Sequence, residues 1–386
     1  MPRRLGGEEA SCGRICVEME IRPIWFDSLG AKSMCVLVET PDIRLLIDPG
    51  AAIMQPRYPA PAEIKLYYLE LATAALVAAA ARATHIAITH YHYDHHRPDI
   101  PELFREKTLW IKDPNRWINR SQWERSRYFL SVLASEWGIE LEEVSPEKEE
   151  YPDPLEELPR ARKKGASEEL RRKWRRRFLG LVRMWERGPW VSPEPFGAQV
   201  LYADGKVFEI GETTVRFTEP LFHGVEYASP GWVLAIIVEH GGKKFLYSSD
   251  LQGPIVEDYA DWIAAEAPDV LVLDGPATYL RGPLQAAATL ERAIRNCVGA
   301  VRGAGAGVTI LDHHLTREPK FREACREAFS AGAITGAEAL GVPPLTDRLL
   351  GWKAKGELGD IVERVRAGEL DPDLPSRGLS VNLLKL

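Results

Sequence analysis

Strand-like alternation of apolar and polar positions begins at Glu20. Ile21, Pro23-Ile24-Trp25-Phe26 and Met34-Cys35-Val36-Leu37-Val38 read as the first strands, and Ile43-Arg44-Leu45-Leu46-Ile47 as the next, closed by Asp48-Pro49-Gly50. Residues 62–83 are Ala-rich, are entered through Pro61 and predict a helix. His85-Ile86-Ala87-Ile88-Thr89 predicts a short buried strand that opens into a histidine-rich loop, and 113–136 a further helix. Short strands resume at Val200-Leu201-Tyr202, Val207-Phe208, Thr214–Phe217, Trp232–Val238 and Lys244–Tyr247. The rhythm then changes: Val270–Leu273 precedes a helix over 283–302, and Val308–Leu311 one over 318–330. Two blocks, each mostly sheet with flanking helices, predict two sheets packed together with helices outside.

Two stretches stand apart. Residues 1–18 carry no periodicity and read as a disordered tail preceding a domain over 19–386. Residues 137–195 read as a helical insertion, acidic and Pro-punctuated over 136–157, then basic over 160–187. In the basic part Leu170, Trp174, Phe178, Leu181 and Trp185 recur at spacings of three and four, one apolar stripe on a helix. Its cations, Arg171 to Arg177 around Trp174, fit either a nucleic-acid-binding arm or a helix whose charges pair with 136–157, and the second reading is preferred.

Composition sets wide bounds. With 386 residues, 45% hydrophobic and 27% charged, the chain is an ordinary globular one, which excludes a disordered, collagen-like or small disulfide-stapled protein. A net charge of −7 excludes a surface basic all over, though not a local basic patch. The five cysteines are scattered, which suits free thiols in a reducing cytosol, and no second pair follows Cys12 and Cys16 to make a zinc knuckle. No apolar run reaches signal-peptide or membrane-spanning length, so a cytoplasmic protein without a membrane partner is expected. Asn and Gln are scarce while Arg and Glu are plentiful, a bias that leans towards a thermophilic source.

The histidines carry the chemistry. His90, His92, His95 and His96 lie in Thr-His-Tyr-His-Tyr-Asp-His-His, His223 follows Pro220-Leu221-Phe222, and His313-His314 follow the strand that ends at Asp312. Asp250 comes straight after Lys244–Tyr247 and Ser248-Ser249. Side chains at strand ends can converge on one edge of a sheet sandwich. His90 and His92 offer two imidazoles to one metal, and Asp94 with His95 a carboxylate and an imidazole to a second. His223 can complete the first site, His313 the second, and Asp250 can bridge both. Such ligands suit zinc, and also iron or manganese. Two divalent ions about 3.5–4 Å apart share a water, lower its pKa and hold the substrate oxygen.

Ile47-Asp48-Pro49-Gly50, Thr89–His95, His223, Asp250 and His313, in that order, resemble the metallo-β-lactamase superfamily. Ser28-Leu29-Gly30, His95-His96, Gly275-Pro276, Thr278-Tyr279-Leu280 and Leu311–His314 look more closely like an archaeal branch of predicted hydrolases. The resemblance implies an αββα four-layer sandwich, the metallo-β-lactamase fold, with a binuclear site at one edge. It covers 47–313 apart from the insertion and names no substrate. Nuclease-like members place a histidine two residues past a strand end, which favours His313 as the last ligand, with His314 supporting it or acting as general acid. Asp48 is expected to shape the metal loop through hydrogen bonds, and His96 and Asp312 to be candidates for fixing an imidazole tautomer. Tyr279, Arg281 and Arg317 can contact an anionic substrate.

The leading expectation is a hydrolase acting through a hydroxide held by two metals, with Asp94 and His314 in the chemistry. A phosphodiester, including RNA or a nucleotide, is preferred for its match to the basic insertion. A thioester, lactone or amide remains open. The competing classes are an iron redox protein, disfavoured because such relatives have Glu where His92 stands, and a non-enzymatic RNA-binding scaffold.

Overall fold

The computed structural model describes residues 19–163, 167–282 and 284–369, with the backbone of 384–385. The expected tail, with Cys12 and Cys16, lies outside the described residues; Cys35, Cys297 and Cys325 are free and buried. The first sheet takes β1 (Glu20–Phe26), β2 (Met34–Glu39), β3 (Arg44–Ile47), β4 (His85–Ile88), β5 (Thr108–Ile111) and β6 (Val200–Tyr202) in chain order, with Leu384–Lys385 beside β1. Pairing is antiparallel from β1 to β3 and parallel from β3 to β6. The second sheet takes β7 (Val207–Ile210), β8 (Thr213–Phe217), β9 (Ile236–His240), β10 (Lys243–Tyr247), β11 (Val270–Asp274) and β12 (Val308–Asp312), again in chain order. There β7 to β10 are antiparallel and β10 to β12 parallel.

Period-two alternation splits each strand between two cores. Val36, Val38, Leu45 and Ile47 from the first sheet meet Val215, Phe217, Ile236, Val238, Phe245 and Tyr247 from the second in one buried cluster between the sheets. The alternate residues Cys35, Leu37 and Leu46 join Ile64, Tyr68, Ala72 and Leu76 of α1 (Ala62–Arg82). On the far side Leu246, Leu271 and Leu273 join Ile263 of α4 (Glu257–Glu266) and Cys297 and Ala300 of α5 (Ala287–Ala304). Helices on both outer faces of two sheets make the αββα sandwich. Helix α1 is long and apolar enough to cross a membrane by length and composition alone, but its Ile64–Ala80 stripe is buried on the sheet.

The departures from the expected elements have local causes. Residues 113–119 are irregular, and α2 (Arg120–Trp137) starts where the Asn119 side chain accepts from Gln122 N at 2.7 Å. The run Trp232–Val238 breaks in two, because Trp232–Val233 leaves the sheet to pair with Leu221–Phe222. The helix expected over 318–330 is two short ones, Phe321–Ala324 and Arg326–Ser330.

Residues 137–195 lie in the crossover between α2 and β6. They hold a ribbon of Glu143–Val144 with Trp190–Val191, a short helix Pro159–Lys163 and α3 (Glu168–Arg187). Helix α3 buries Phe178, Val182 and Trp185, and its aromatics meet Trp117, Tyr227 and Trp232. Of the expected stripe Phe178 and Trp185 are core, Trp174 and Leu181 are half-buried, and Leu170 at the start of the helix is exposed. The expected charge pairing is absent: among the described residues none of Arg172, Lys173, Arg175, Arg176 and Arg177 makes an ion pair with 136–157. In that acidic stretch Glu149 pairs instead with Arg116, and Asp153 accepts from Tyr227.

Candidate metal centre

The parallel parts of the two sheets decide where the chemistry collects. Strands β3 and β4 run the same way, so Asp48 and the His90–His96 loop leave the first sheet at one edge. Strands β10, β11 and β12 also run together and release Asp250, Asp274 and His313 at one edge of the second. A hydrogen bond from Leu234 N to Thr89 O (3.1 Å) and one between Thr89 Oγ1 and Ser249 Oγ (2.7 Å) join the edges. Three of these turns are built on non-glycine residues with left-handed backbone: Asp48 (φ 48°), Ser249 (φ 53°) and His313 (φ 53°). Strain of this kind gathers where surrounding structure over-determines a site.

Two groups of potential ligands share Asp250. His90, His92, His223 and Asp250 bring ligand atoms within 4.8 Å of one another, and so do Asp94, His95 and His313. Asp250 Oδ2 lies 3.2 Å from His223 Nε2 and 3.5 Å from His90 Nε2. Its Oδ1 lies 3.0 Å from His95 Nε2 and 3.4 Å from His313 Nε2, which is 3.9 Å from Asp94 Oδ2. All these groups are buried except His92 and Asp94, which are half-buried. His90 Nε2, His95 Nε2, His223 Nε2 and Asp250 Oδ1 have no hydrogen-bond partner. Buried polar atoms are almost always satisfied. Several unsatisfied ones converging on one carboxylate fit divalent metal, and the nitrogen and oxygen donor set fits it too.

Supporting residues fix the rings. Asp48 accepts from Thr89 N (2.8 Å), Thr89 Oγ1 (2.6 Å) and Tyr247 OH (2.8 Å), and lies 2.8 Å from His95 Nδ1. The turn after it needs a glycine: a Cβ on Gly50 would sit 2.2 Å from His96 N. Asp27 Oδ1 lies 3.0 Å from His313 Nδ1. Asp274 Oδ1 lies 2.9 Å from His314 Nδ1, and Tyr279 stacks over that ring with centroids 6.4 Å apart. Arg317 reaches across from Asp27, placing Nη2 3.2 Å from both Asp94 Oδ2 and His313 Nε2.

Burial holds His90 and His92 well below the ordinary imidazole range, so both are neutral imidazoles at neutral pH. Burial pulls His95 down as well, but Asp250 and Asp48 outweigh it and raise it to about 10. Burial would raise Asp27, yet Arg317 and His313 bring it down to about 2. Asp274 goes the other way: burial and then the Asp250 charge push it up to about 8.

No protein-family model matches the chain. The UPF0282 protein of Methanopyrus kandleri is 31% identical over 338 residues, 84% of this chain and 94% of that one. The chain belongs to the UPF0282 family. A UPF0282 protein of Methanocaldococcus jannaschii is 30% identical over 335 residues, 84% of this chain and 92% of its own. The archaeal branch that the sequence resembles is this family. Among solved structures, the metallo hydrolase Igni18 of Ignicoccus hospitalis is 12% identical with a TM-score of 0.37, over 82% of this chain and 94% of that one. The short form of human tRNase Z is 14% identical with a TM-score of 0.36, over 76% and 92%. Both are loose likenesses.

In this UPF0282 chain His90, His92, Asp94, His95, His223, Asp250 and His313 come together as the sequence suggests. His314 is at the same edge, and a ring nitrogen of it falls within 4.8 Å of ligand atoms of Asp250 and His313. Asp312 fixes no imidazole: it accepts from Ser28 N, His313 N, Thr316 Oγ1 and Gly336 N, and so shapes the turn. His96 packs its ring among Tyr91, Tyr93 and Phe129 and lies against His92 O, bracing the loop. Tyr279 and Arg317 belong to the site, whereas Arg281 is exposed. Asp27 and Asp274 are absent from the sequence reading. Asp274 carried a usable signal, an acid ending the apolar run Val270–Leu273 as Asp312 ends Val308–Leu311.

Proposed function

We propose that this protein is a hydrolase working with two divalent metal ions, zinc first, and that its substrate is a phosphodiester. The Asp250 carboxylate carries the reading: one oxygen faces His90 and His223, the other His95 and His313. A carboxylate so placed is the bridge that a binuclear centre requires, with His92 completing one side and Asp94 the other. When bound, such ions lower the pKa of water and polarise the scissile group. His90 and His92, neutral through burial, offer lone pairs without first losing a proton. Asp48 and Asp27 fix the rings of His95 and His313 so that each turns Nε2 inward.

A negatively charged substrate is supported by the groups beside Asp94. Arg317 is buried there and gives one Nη1 hydrogen to Tyr279 OH at 3.2 Å, which leaves the phenol hydrogen free to donate. Lys32 is half-buried next to Ser33, whose carbonyl lies 3.2 Å from His313 Nδ1, and among the described residues no carboxylate stands within ion-pair distance of its amine. His314, braced by Asp274 and Tyr279, stands at the same edge, and burial holds it well below the ordinary imidazole range, which suits it to accept a proton rather than to give one.

Metal content per chain and turnover of bis(p-nitrophenyl) phosphate, p-nitrophenyl acetate and an acyl thioester test this reading. Close to two metals with diester turnover is the expected result. Turnover of carbon esters alone would sink the phosphodiester assignment, and one iron or none would sink the binuclear one.

A further inference from the structure

The whole chain is acidic, with a net charge of −7, yet one face of α3 is almost wholly cationic. At 100° per residue Arg172, Arg176, Arg183 and Arg187 fall on one line along the helix, opposite the buried Phe178, Val182 and Trp185. All four are exposed, and among the described residues none has an ion pair or hydrogen bond. Lys173 and Arg177 flank the line, and no acidic residue lies between Glu169 and Glu186. Closely spaced like charges repel along a helix. Among the described residues no ion pair relieves their mutual cost, although the acidic stretch 136–157 lies in the same crossover.

The place of the helix matters as much as its charge. Trp174 stacks on Tyr227 at 5.5 Å, and Phe178 and Trp185 pack on Trp232. These partners belong to the loop that starts at His223, whose amide bonds Gly231 O at 2.9 Å. The same loop is tied to the histidine motif by Gln122, which bonds Pro230 O with its Nε2 and Tyr91 N with its Oε1 at 3.2 Å. Helix α3 thus rests on the segment that delivers His223 to the centre.

We infer that the Arg172–Arg187 line is a docking track for the sugar-phosphate backbone of a nucleic-acid strand, whose scissile phosphodiester is led to the Asp250 centre. The line spans 15 residues, about 22 Å at 1.5 Å per residue, a length over which one strand of a duplex carries about six phosphates at about 3.4 Å each. Guanidinium groups match phosphate with paired N–H donors. A membrane surface fits less well, because the apolar side of α3 is spent on the protein core and cannot enter lipid. The inference rests on the phosphodiester reading and narrows it to a polymer.

The test uses the full-length, metal-loaded protein and a fluorescent single-stranded RNA of mixed sequence, with the matching DNA as a second probe. Anisotropy gives the affinity over a series of salt concentrations. Replacing the line together, Arg172→Gln, Arg176→Gln, Arg183→Gln and Arg187→Gln, should weaken binding at least about tenfold. It should also flatten the log–log salt slope by about 3, at about 0.7 for each phosphate that an arginine no longer neutralises. Metal content and thermal melting verify that the variant is folded, which the exposure of all four side chains favours. Equal affinity and slope for wild type and variant would overturn the track. So would binding to phosphatidylglycerol vesicles without binding to either nucleic acid. A wild type that binds RNA through this line but cleaves no diester would overturn the proposed activity and leave the track standing.

Discussion

The two halves of the His/Asp cluster share Asp250 but are held by different chemistry. On the His90–His92–His223 side the supports are neutral: His90 Nδ1 lies 3.2 Å from Thr89 Oγ1, and His223 Nδ1 3.4 Å from Gln252 Nε2. On the Asp94–His95–His313 side they are ionic: Asp48 on His95, Asp27 on His313 and Arg317 on Asp94. A carboxylate behind an imidazole fixes its tautomer and makes the opposite nitrogen a stronger donor. The ionic half should therefore hold its metal more tightly and stand next to the charged groups that receive the substrate. The Gly50 turn, packed under His95 and His96, braces the loop that carries ligands of both halves.

The sharpest break comes from the shared residue. Asp250→Ala removes a donor from both halves, and metal content should fall from about two per chain to below about one, as read by elemental analysis. Loss confined to one equivalent would mean that Asp250 belongs to a single half. Asp48→Ala comes next, because it strips the ionic half of its anchor and leaves Thr89 N without its buried acceptor. Removing one partner of a buried charged pair costs about 3–5 kcal/mol, so denaturant unfolding of the metal-free variant should show a loss in that range. A loss under about 1 kcal/mol would show that the turn is set by backbone geometry alone. Asp27→Asn keeps shape and removes charge, and it should weaken one metal equivalent about 10–100-fold while sparing the other, as followed by chelator competition.

The same contrast explains what the sequence could convey. The cluster was legible because its segments each follow an apolar run: His90 after Ile86–Ile88, Asp250 after Phe245–Tyr247, His313 after Ile310-Leu311. Strand ends are local patterns, and the two-sheet sandwich follows from counting them. The ionic supports are not local. Asp27 meets His313 across 286 residues of chain, and nothing around Asp27 marks it as a partner. The charges of α3 show a further limit. Segment composition, acidic then basic, suggested pairing, but the folded insertion sends Glu149 to Arg116 and leaves the arginines facing solvent. Complementary composition does not fix which surfaces meet.

The smallest expected effect is the most discriminating one. Gln252 brings its side-chain amide to 3.4 Å from His223 Nδ1, near the limit of a hydrogen bond, which the amide oxygen accepts when the imidazole Nε2 faces a metal, and it also fills the space beside Gly224, where a Cβ would lie 2.6 Å from that amide. A neutral hydrogen bond at such length contributes at the low end of the usual range, about 0.5 kcal/mol. Gln252→Ala should therefore weaken the first metal equivalent only about twofold in the chelator titration that reads Asp27→Asn. If it instead matched the loss caused by Asp27→Asn, neutral and ionic supports would be equivalent. The ordering of the two halves would then have to come from the ligands themselves, three imidazoles against two imidazoles and a carboxylate.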